Sequence, residues 1–186
     1  NSTRSTDFIT PKSHASQVMR NAVLTLARQF PCGRALVNSG RLSVPAMLTN
    51  SALNTPDADS FTGWMIPGAP ADDAPVRGGW LLRHLGDRFT LLLFSDGTLP
   101  AALREAIGAL AADKIGVRTL VVVPSGQRVP DGLEGVEDSH GLVAQRYDGR
   151  PGTAYLIRPD QHVAARWRSL GLGAVRAAMA RATCNT

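Results

Sequence analysis

Thr153-Ala-Tyr-Leu-Ile-Arg-Pro-Asp-Gln-His-Val-Ala-Ala-Arg-Trp167 decides how this chain is organised. Two apolar, β-rich runs, 154–158 and 162–167, flank a Pro159-Asp160 turn, which predicts a β-hairpin. A helical pattern follows from Ser169, with Leu172, Val175 and Met179 on one stripe. Upstream, 89–94 is an apolar run with the length of a buried strand. Ser95-Asp96-Gly97 then turns the chain into an Ala/Leu-rich helix predicted over 99–113, with Pro100 in its first turn and Leu103, Ile107 and Leu110 as its buried stripe. Residues 118–123 form a second buried strand. Strand, helix and strand at this spacing imply a right-handed crossover between parallel neighbours.

The order β-α-β, then β-hairpin and α, is that of an α/β, thioredoxin-like sheet. Between the two halves, 126–141 is rich in Gly, Pro and acids and reads as loop, with a short segment at 143–147. Residues 80–85 read as a short β-segment.

The first third of the chain reads differently. Val18, Ala22, Val23, Leu26, Ala27 and Phe30 recur at helical spacing and predict a helix over about 13–30, which Pro31 ends. Residues 32–53 are short and broken, 54–60 is a polar loop, and three prolines in 64–75 preclude helix and central strand alike. These shifts place a boundary near Trp64: 1–63 form an N-terminal helical extension and 64–186 the main domain. The polar opening Asn1-Ser-Thr-Arg-Ser-Thr6, without an initiator Met, reads as part of a longer chain.

Composition narrows the function classes. Apolar residues make up 44% of the 186 and charged residues 19%, an ordinary globular balance. No apolar run approaches the roughly 20 residues that span a bilayer, and no secretory leader opens the chain. The net charge of +5 invites a nucleic-acid reading, but the basic residues are scattered arginines without interleaved aromatics. Cys32 and Cys184 lie far apart, outside any metal-binding spacing, and read as reduced thiols of a cytoplasmic protein.

Chemistry is sought and mostly not found. A redox-active sheet of this kind carries paired thiols after its first core strand, where a helix N-terminus lowers a thiol pKa. Ser95, Asp96, Gly97 and Thr98 hold that place, with hydroxyls at the two positions of a Cys-x-x-Cys pair. A hydroxyl forms no disulfide, so thiol exchange or peroxidase activity would need Cys32 or Cys184. Gly171-Leu-Gly173 begins like a dinucleotide fingerprint but opens no βαβ unit, and its glycines read as close packing at a helix start. His14, His84, His140 and His162 have no partner at ligand spacing. Asp138-Ser139-His140 reads as a polar loop, because triad members converge from separate segments. Asp72-Asp73 reads as solvated. Trp64, Trp80 and Trp167 are candidates for interface anchors, against the alternative of core filling.

Several stretches together carry a resemblance: Asp7-Phe-Ile-Thr-Pro-Lys-Ser13, Leu36-Val-Asn-Ser-Gly-Arg-Leu-Ser43, Pro67-Gly-Ala-Pro70 with Asp73-Ala-Pro-Val76, Phe89-Thr-Leu-Leu-Leu-Phe94 and Tyr155-Leu-Ile-Arg-Pro-Asp160. In this order they resemble the C-terminal part of FAD-dependent aromatic hydroxylases, single-component flavoprotein monooxygenases of the phenol hydroxylase and 3-(3-hydroxyphenyl)propionate hydroxylase type. The resemblance implies that 1–63 are the helical tail of an upstream FAD-binding catalytic part. It implies that 64–186 are a redox-inert C-terminal domain, associated with subunit contacts in a homodimer and with packing on the flavin domain. The parent would use FAD, NAD(P)H and O2 to hydroxylate an aromatic ring. No catalytic, cofactor or metal residue is assigned within this chain, and neither nucleic acid nor membrane is an expected partner. An independent thiol oxidoreductase or peroxidase, and an Arg-mediated nucleic-acid binder, are the alternatives. The sequence departs from the family's pattern at Ala69, where Arg is common, and at Gln161, where Gly is common. Gln161 meets a less favourable backbone if the turn needs positive φ.

Overall fold

Alternation along one buried strand sets the layers. In β3 (Thr90–Phe94), Leu91 and Leu93 point to one face of the sheet and Leu92 and Phe94 to the other, and all are buried. The computed structural model describes residues 8–31 and 45–185. It divides into two compact units, Asn1–Ala46 and Met47–Thr186.

In the first unit, α1 (His14–Gln29) matches the predicted helix. Ser13 caps it by accepting the Ser16 amide on its Oγ at 3.2 Å, and Phe30 closes it by donating its amide to Leu26. Among the described residues none of α1 is buried, and Val18, Met19 and Leu26 are about half-exposed or more.

The second unit contains β1 (Pro75–Val76), β2 (Gly79–Trp80), β3, α2 (Ala101–Ala112), β4 (Arg118–Pro124), β5 (Glu134–Asp138), α3 (Leu142–Arg146), β6 (Ala154–Ile157), β7 (Val163–Trp167) and α4 (Leu172–Ala182). The main sheet runs β5-β4-β3-β6-β7. β3 pairs parallel with β4, and β4 with β5; β6 lies antiparallel to β3 and forms the hairpin with β7. The crossover through α2 and the terminal hairpin-helix make this a thioredoxin-like α/β fold. Leu91, Leu93, Ile107, Leu110, Leu156, Trp167 and Val175 fill the face covered by α2 and α4. Met65, Leu81, Leu92, Phe94, Val136, Tyr147 and Tyr155 fill the opposite face. Tyr155 donates to the Tyr147 carbonyl and Tyr147 to the Asp72 carbonyl, so both buried hydroxyls are satisfied. Burial pushes both phenols above their ordinary range.

Several expectations need correction. The predicted β-segment at 80–85 is only the end of β2 followed by a short 3-10 helix, Leu81–His84. The 126–141 loop contains β5, an edge strand that buries Val136 and Asp138 and leaves Glu134 exposed. The segment at 143–147 is the helix α3. Helix α4 begins at Leu172 rather than Ser169, and a Cβ at Gly173 would meet nothing within 4 Å, so close packing does not call for glycine there. Pro100 caps α2 rather than sitting in its first turn.

The hairpin turn behaves as its sequence suggests. Gln161 adopts φ 61°, and its Nε2 donates to the carbonyls of Leu82 (3.2 Å) and Leu85 (3.0 Å). The side chain thus ties the strained turn to the 3-10 helix. Ala69 is fully buried, and its carbonyl accepts the Val163 amide at 2.9 Å. An arginine there would have to extend out of a closed site.

Candidate functional site

β3 delivers the chain to the corner where this fold places its reaction. Ser95, 5% exposed, donates its Oγ proton to the Thr98 carbonyl at 2.7 Å and accepts the Gly97 amide at 3.1 Å. Asp96 Oδ1 accepts both the Thr98 amide (3.1 Å) and the Thr98 hydroxyl (2.7 Å). These bonds, the Thr98 hydroxyl first, hold the Asp96 carboxyl below its ordinary range. Gly97 sits at φ 100°, which a side chain would strain. The four residues form a turn bonded to itself. Helix α2 starts only at Ala101, so Ser95 lies well ahead of its first turn, where a helix dipole acts most strongly. The Ser95 proton goes to a backbone carbonyl and the Thr98 proton to Asp96, whose lowered carboxyl is a weak base, so these bonds activate neither hydroxyl as a nucleophile.

Phe94, Ser95 and Pro151 form a ridge between two crevices, one running along α2 to Leu170 and the other reaching the ends of β4 and β5. Asp138 lines the second. It does not join His140: its Oδ2 accepts the Ala144 amide at 2.9 Å at the start of α3, while Ser139 Oγ and His140 Nδ1 share a separate hydrogen bond of 2.9 Å. The three adjacent residues therefore make no relay. Yet Asp138 is a buried strand end rather than a residue of a solvated loop.

The paired acids at the Pro-rich stretch are also structural. Asp73 Oδ1 accepts the amides of Ala74 and Leu82, each at 3.0 Å, and Asp72 faces Arg146 at 3.7 Å. Among the described residues no cluster of three ligating side chains exists. Cys184 is an exposed free thiol past the end of α4; Cys32 lies outside the described residues. Trp64 and Trp80 are about half-exposed, whereas Trp167 is buried beneath the α2 and α4 face.

The residues that sequence reasoning missed lie along β7. Arg166 is buried and grips Asp57 with two bonds, Nε to Oδ1 at 2.9 Å and Nη2 to Oδ2 at 2.6 Å, while Nη1 donates to the Met65 carbonyl at 3.1 Å. Arg168 donates to Asp148 and to the Ser60 carbonyl, and its amide donates to Asp59. Both guanidinium groups stack on Phe61, at 4.3 and 3.8 Å from its ring centre. Thr62 donates its amide to Asp148, which together with Arg168 lowers the Asp148 carboxyl to about 2. Residues 54–62 thus form a strap over β7. Arg166 and Asp57 are 109 residues apart in sequence, and no local pattern marks them as partners.

Comparison with known proteins follows the same outline. None of the curated proteins compared matches the chain. Among solved structures, the flavin-dependent monooxygenase PieE, in complex with FAD and substrate, superposes with a TM-score of 0.60 at 24% identity, covering 98% of this chain and 32% of that one. Aklavinone-11 hydroxylase, in a ternary complex with FAD and aklavinone, gives 0.53 at 21% identity, with 84% and 30% covered. RebC-10x, native and K252c-bound, gives 0.52 at 20%, with 96% and 31% covered. The chain therefore spans about a third of the length of these proteins and shares their fold over that third. The family described as HcaD C-terminal domain matches residues 64–182, and the chain belongs to that family.

Proposed function

We propose that this chain is a redox-inert structural and interaction module of an FAD-dependent, NAD(P)H-using aromatic-ring monooxygenase. The observation that carries the reading is the corner after β3, where both hydroxyls are consumed by their own turn and no thiol stands. Membership of the HcaD C-terminal domain family and the fold shared with flavin-dependent monooxygenases support it. In this reading 1–63 are the tail of the FAD-binding part, 64–186 are the appended domain, and the partner is the FAD-binding domain of the same parent chain. The exposed apolar stripe of α1 and the half-exposed Trp64 and Trp80 supply contact surface for it. The parent enzyme is a cytoplasmic homodimer in this proposal.

In this proposal the described residues bind no flavin: Gly171-Leu172-Gly173 opens α4 after β7, an antiparallel strand, so this glycine pair does not stand at the helix start of a parallel βαβ unit. FAD would be held by the upstream part and would there supply the activation of O2; the residues of this chain hold surfaces together.

The test is direct. The purified 186-residue chain, incubated with FAD and desalted, should retain no flavin absorbance, and it should neither reduce insulin disulfides nor consume hydrogen peroxide. Retained flavin, or thiol turnover that disappears in Cys32→Ser or Cys184→Ser, would overturn the proposal.

A further inference from the structure

Strap and strand meet by alternation on both sides. Arg166 and Arg168 share one face, both lying on Phe61, while Trp167 between them packs into the opposite core. On the strap, Asp57, Asp59 and Phe61 turn to the strand at every second position. The Asp57 carboxylate grips the Arg166 guanidinium, the Asp59 carboxylate accepts the Arg168 amide at 2.9 Å, and Phe61 carries both guanidinium groups. Ala58 and Ser60, between them, are exposed. Phe61 also meets the Tyr155 ring edge-on, with 5.9 Å between centres. The strand thus reads a pattern, Asp-x-Asp-x-Phe, in the segment laid against it. Arg166, 5% exposed, fixes the charge of that segment, because a buried guanidinium needs an anion opposite it.

The strap is lightly held everywhere else. It runs between two buried posts, Met65 and Asn54, whose Nδ2 donates to the Leu48 carbonyl at 2.7 Å. Residues 56–60 and 62–64 are exposed, and Phe61 is the side chain packed against the core. From 55 to 62 a single backbone-to-backbone bond, from the Thr55 amide to the Ala164 carbonyl at 2.9 Å, joins it to the sheet. Segments with few apolar contacts and exposed backbone lie at the low end of local stability.

We propose that the outer side of β7 is a recognition face for an acidic–aromatic segment of the pattern Asp-x-Asp-x-Phe. Residues 57–61 occupy it as a built-in ligand, and a segment of the same pattern from another chain replaces them when the strap lifts. Charge complementarity chooses the partner: Arg166 and Arg168 repel a basic segment, and a segment without the ring leaves both guanidinium groups without the surface they stack on. The proposal does not rest on the flavoenzyme reading.

The probe is a peptide with blocked ends and the sequence of Thr55–Thr62, added to the 15N-labelled full chain; its control carries Asp57→Asn, Asp59→Asn and Phe61→Ala. The host is the full chain with Asp57→Asn and Phe61→Ala, which loosens the strap. The peptide should shift the Ala164, Ala165 and Arg168 amides of this host saturably. The control should bind roughly tenfold more weakly or not at all, the worth of one hydrogen bond to a charged group. Wild type, whose face is filled, should bind the peptide more weakly than the host by a similar factor. Where the loosened host loses its fold, the peptide and not the control should restore a dispersed amide spectrum. In wild type the amides of Thr55, Thr62 and Arg168 should exchange with deuterium through one common opening, faster than those of Leu92 and Val121. The proposal is overturned by a host that does not respond to saturating peptide, by a control that binds as well as the peptide, by wild type binding as tightly as the host, or by strap amides that exchange only together with the sheet.

Discussion

The two flanks of this sheet are finished in opposite ways. Along β7 the strap 54–62 meets the strand with matched partners: Thr55 donates its amide to Ala164, and Arg166 and Arg168 take up Asp57, Asp59 and Asp148. At the carboxyl ends of β3, β4 and β5 the surface is open, and one buried carboxylate oxygen has no partner among the described residues. Polar groups at the first flank join distant segments through ion pairs; at the second they are spent on neighbours a few residues away, as in the Ser95–Thr98 turn and the Asp138–Ala144 bond. The difference lies in where charges are paired rather than in complete satisfaction, since Asn54 Oδ1 and Thr55 Oγ1 of the strap, like Asp138 Oδ1, are buried without a partner among the described residues.

The largest expected effect breaks the sealed flank. Asp57→Ala leaves the buried Arg166 guanidinium without its counter-charge and should destabilise the chain by about 3–5 kcal/mol in urea denaturation. A loss below about 1 kcal/mol would show that the strap contributes little. Next, Gln161→Ala removes two side-chain bonds while keeping the positive φ, with an expected loss of about 1–2 kcal/mol. Gln161→Gly should recover part of that loss by relieving the backbone.

Acid titration sharpens the contrast further. Asp148 has an ordinary carboxyl value of 3.8 and is lowered to about 2 in the fold, first by the Thr62 amide. Its stabilisation is therefore present in full above roughly pH 4 and is lost as pH falls through about 2. Asp148→Asn should flatten the acid limb of stability in that window, measured by denaturation at a series of pH values. The smallest effect is at the open corner. Ser95→Cys should give a thiol that titrates at or above the ordinary cysteine value of about 8.5, because Ser95 is buried and precedes α2 by several residues. Alkylation rates against pH would measure it, and a thiolate forming near neutrality would contradict the geometry.

What could be read from sequence follows the strength of local pattern. β3, β4, α2 and the hairpin carry continuous apolar runs or helical stripes because they are buried on one or both faces. The positive φ of Gln161 was foreseen only as a condition, from the glycine common there in the family the sequence resembles, and the turn does adopt it. β5 was not, because an edge strand with one buried face and only Val136 as its apolar residue looks like acidic loop. Helix α3, at five residues, is too short for periodicity. The strap was hidden for another reason: Asp57, Asp59 and Phe61 find their partners across more than a hundred residues, and nothing local marks them. At the corner, the residue types excluded thiol chemistry, but only the coordinates show that the hydroxyls are spent on each other.

The covered rim of the sheet has a bearing on assembly. β7 has Val163 bonded to Ala69 and Gly68 on its outer side, Ala164 to Thr55, and Arg168 to Asp59, so its spare donors and acceptors are taken. Strand addition is therefore blocked at one of the sheet's two margins. The opposite margin is β5, whose ladder runs only to β4 among the described strands, so a copy that joined by strand pairing would have to do so there.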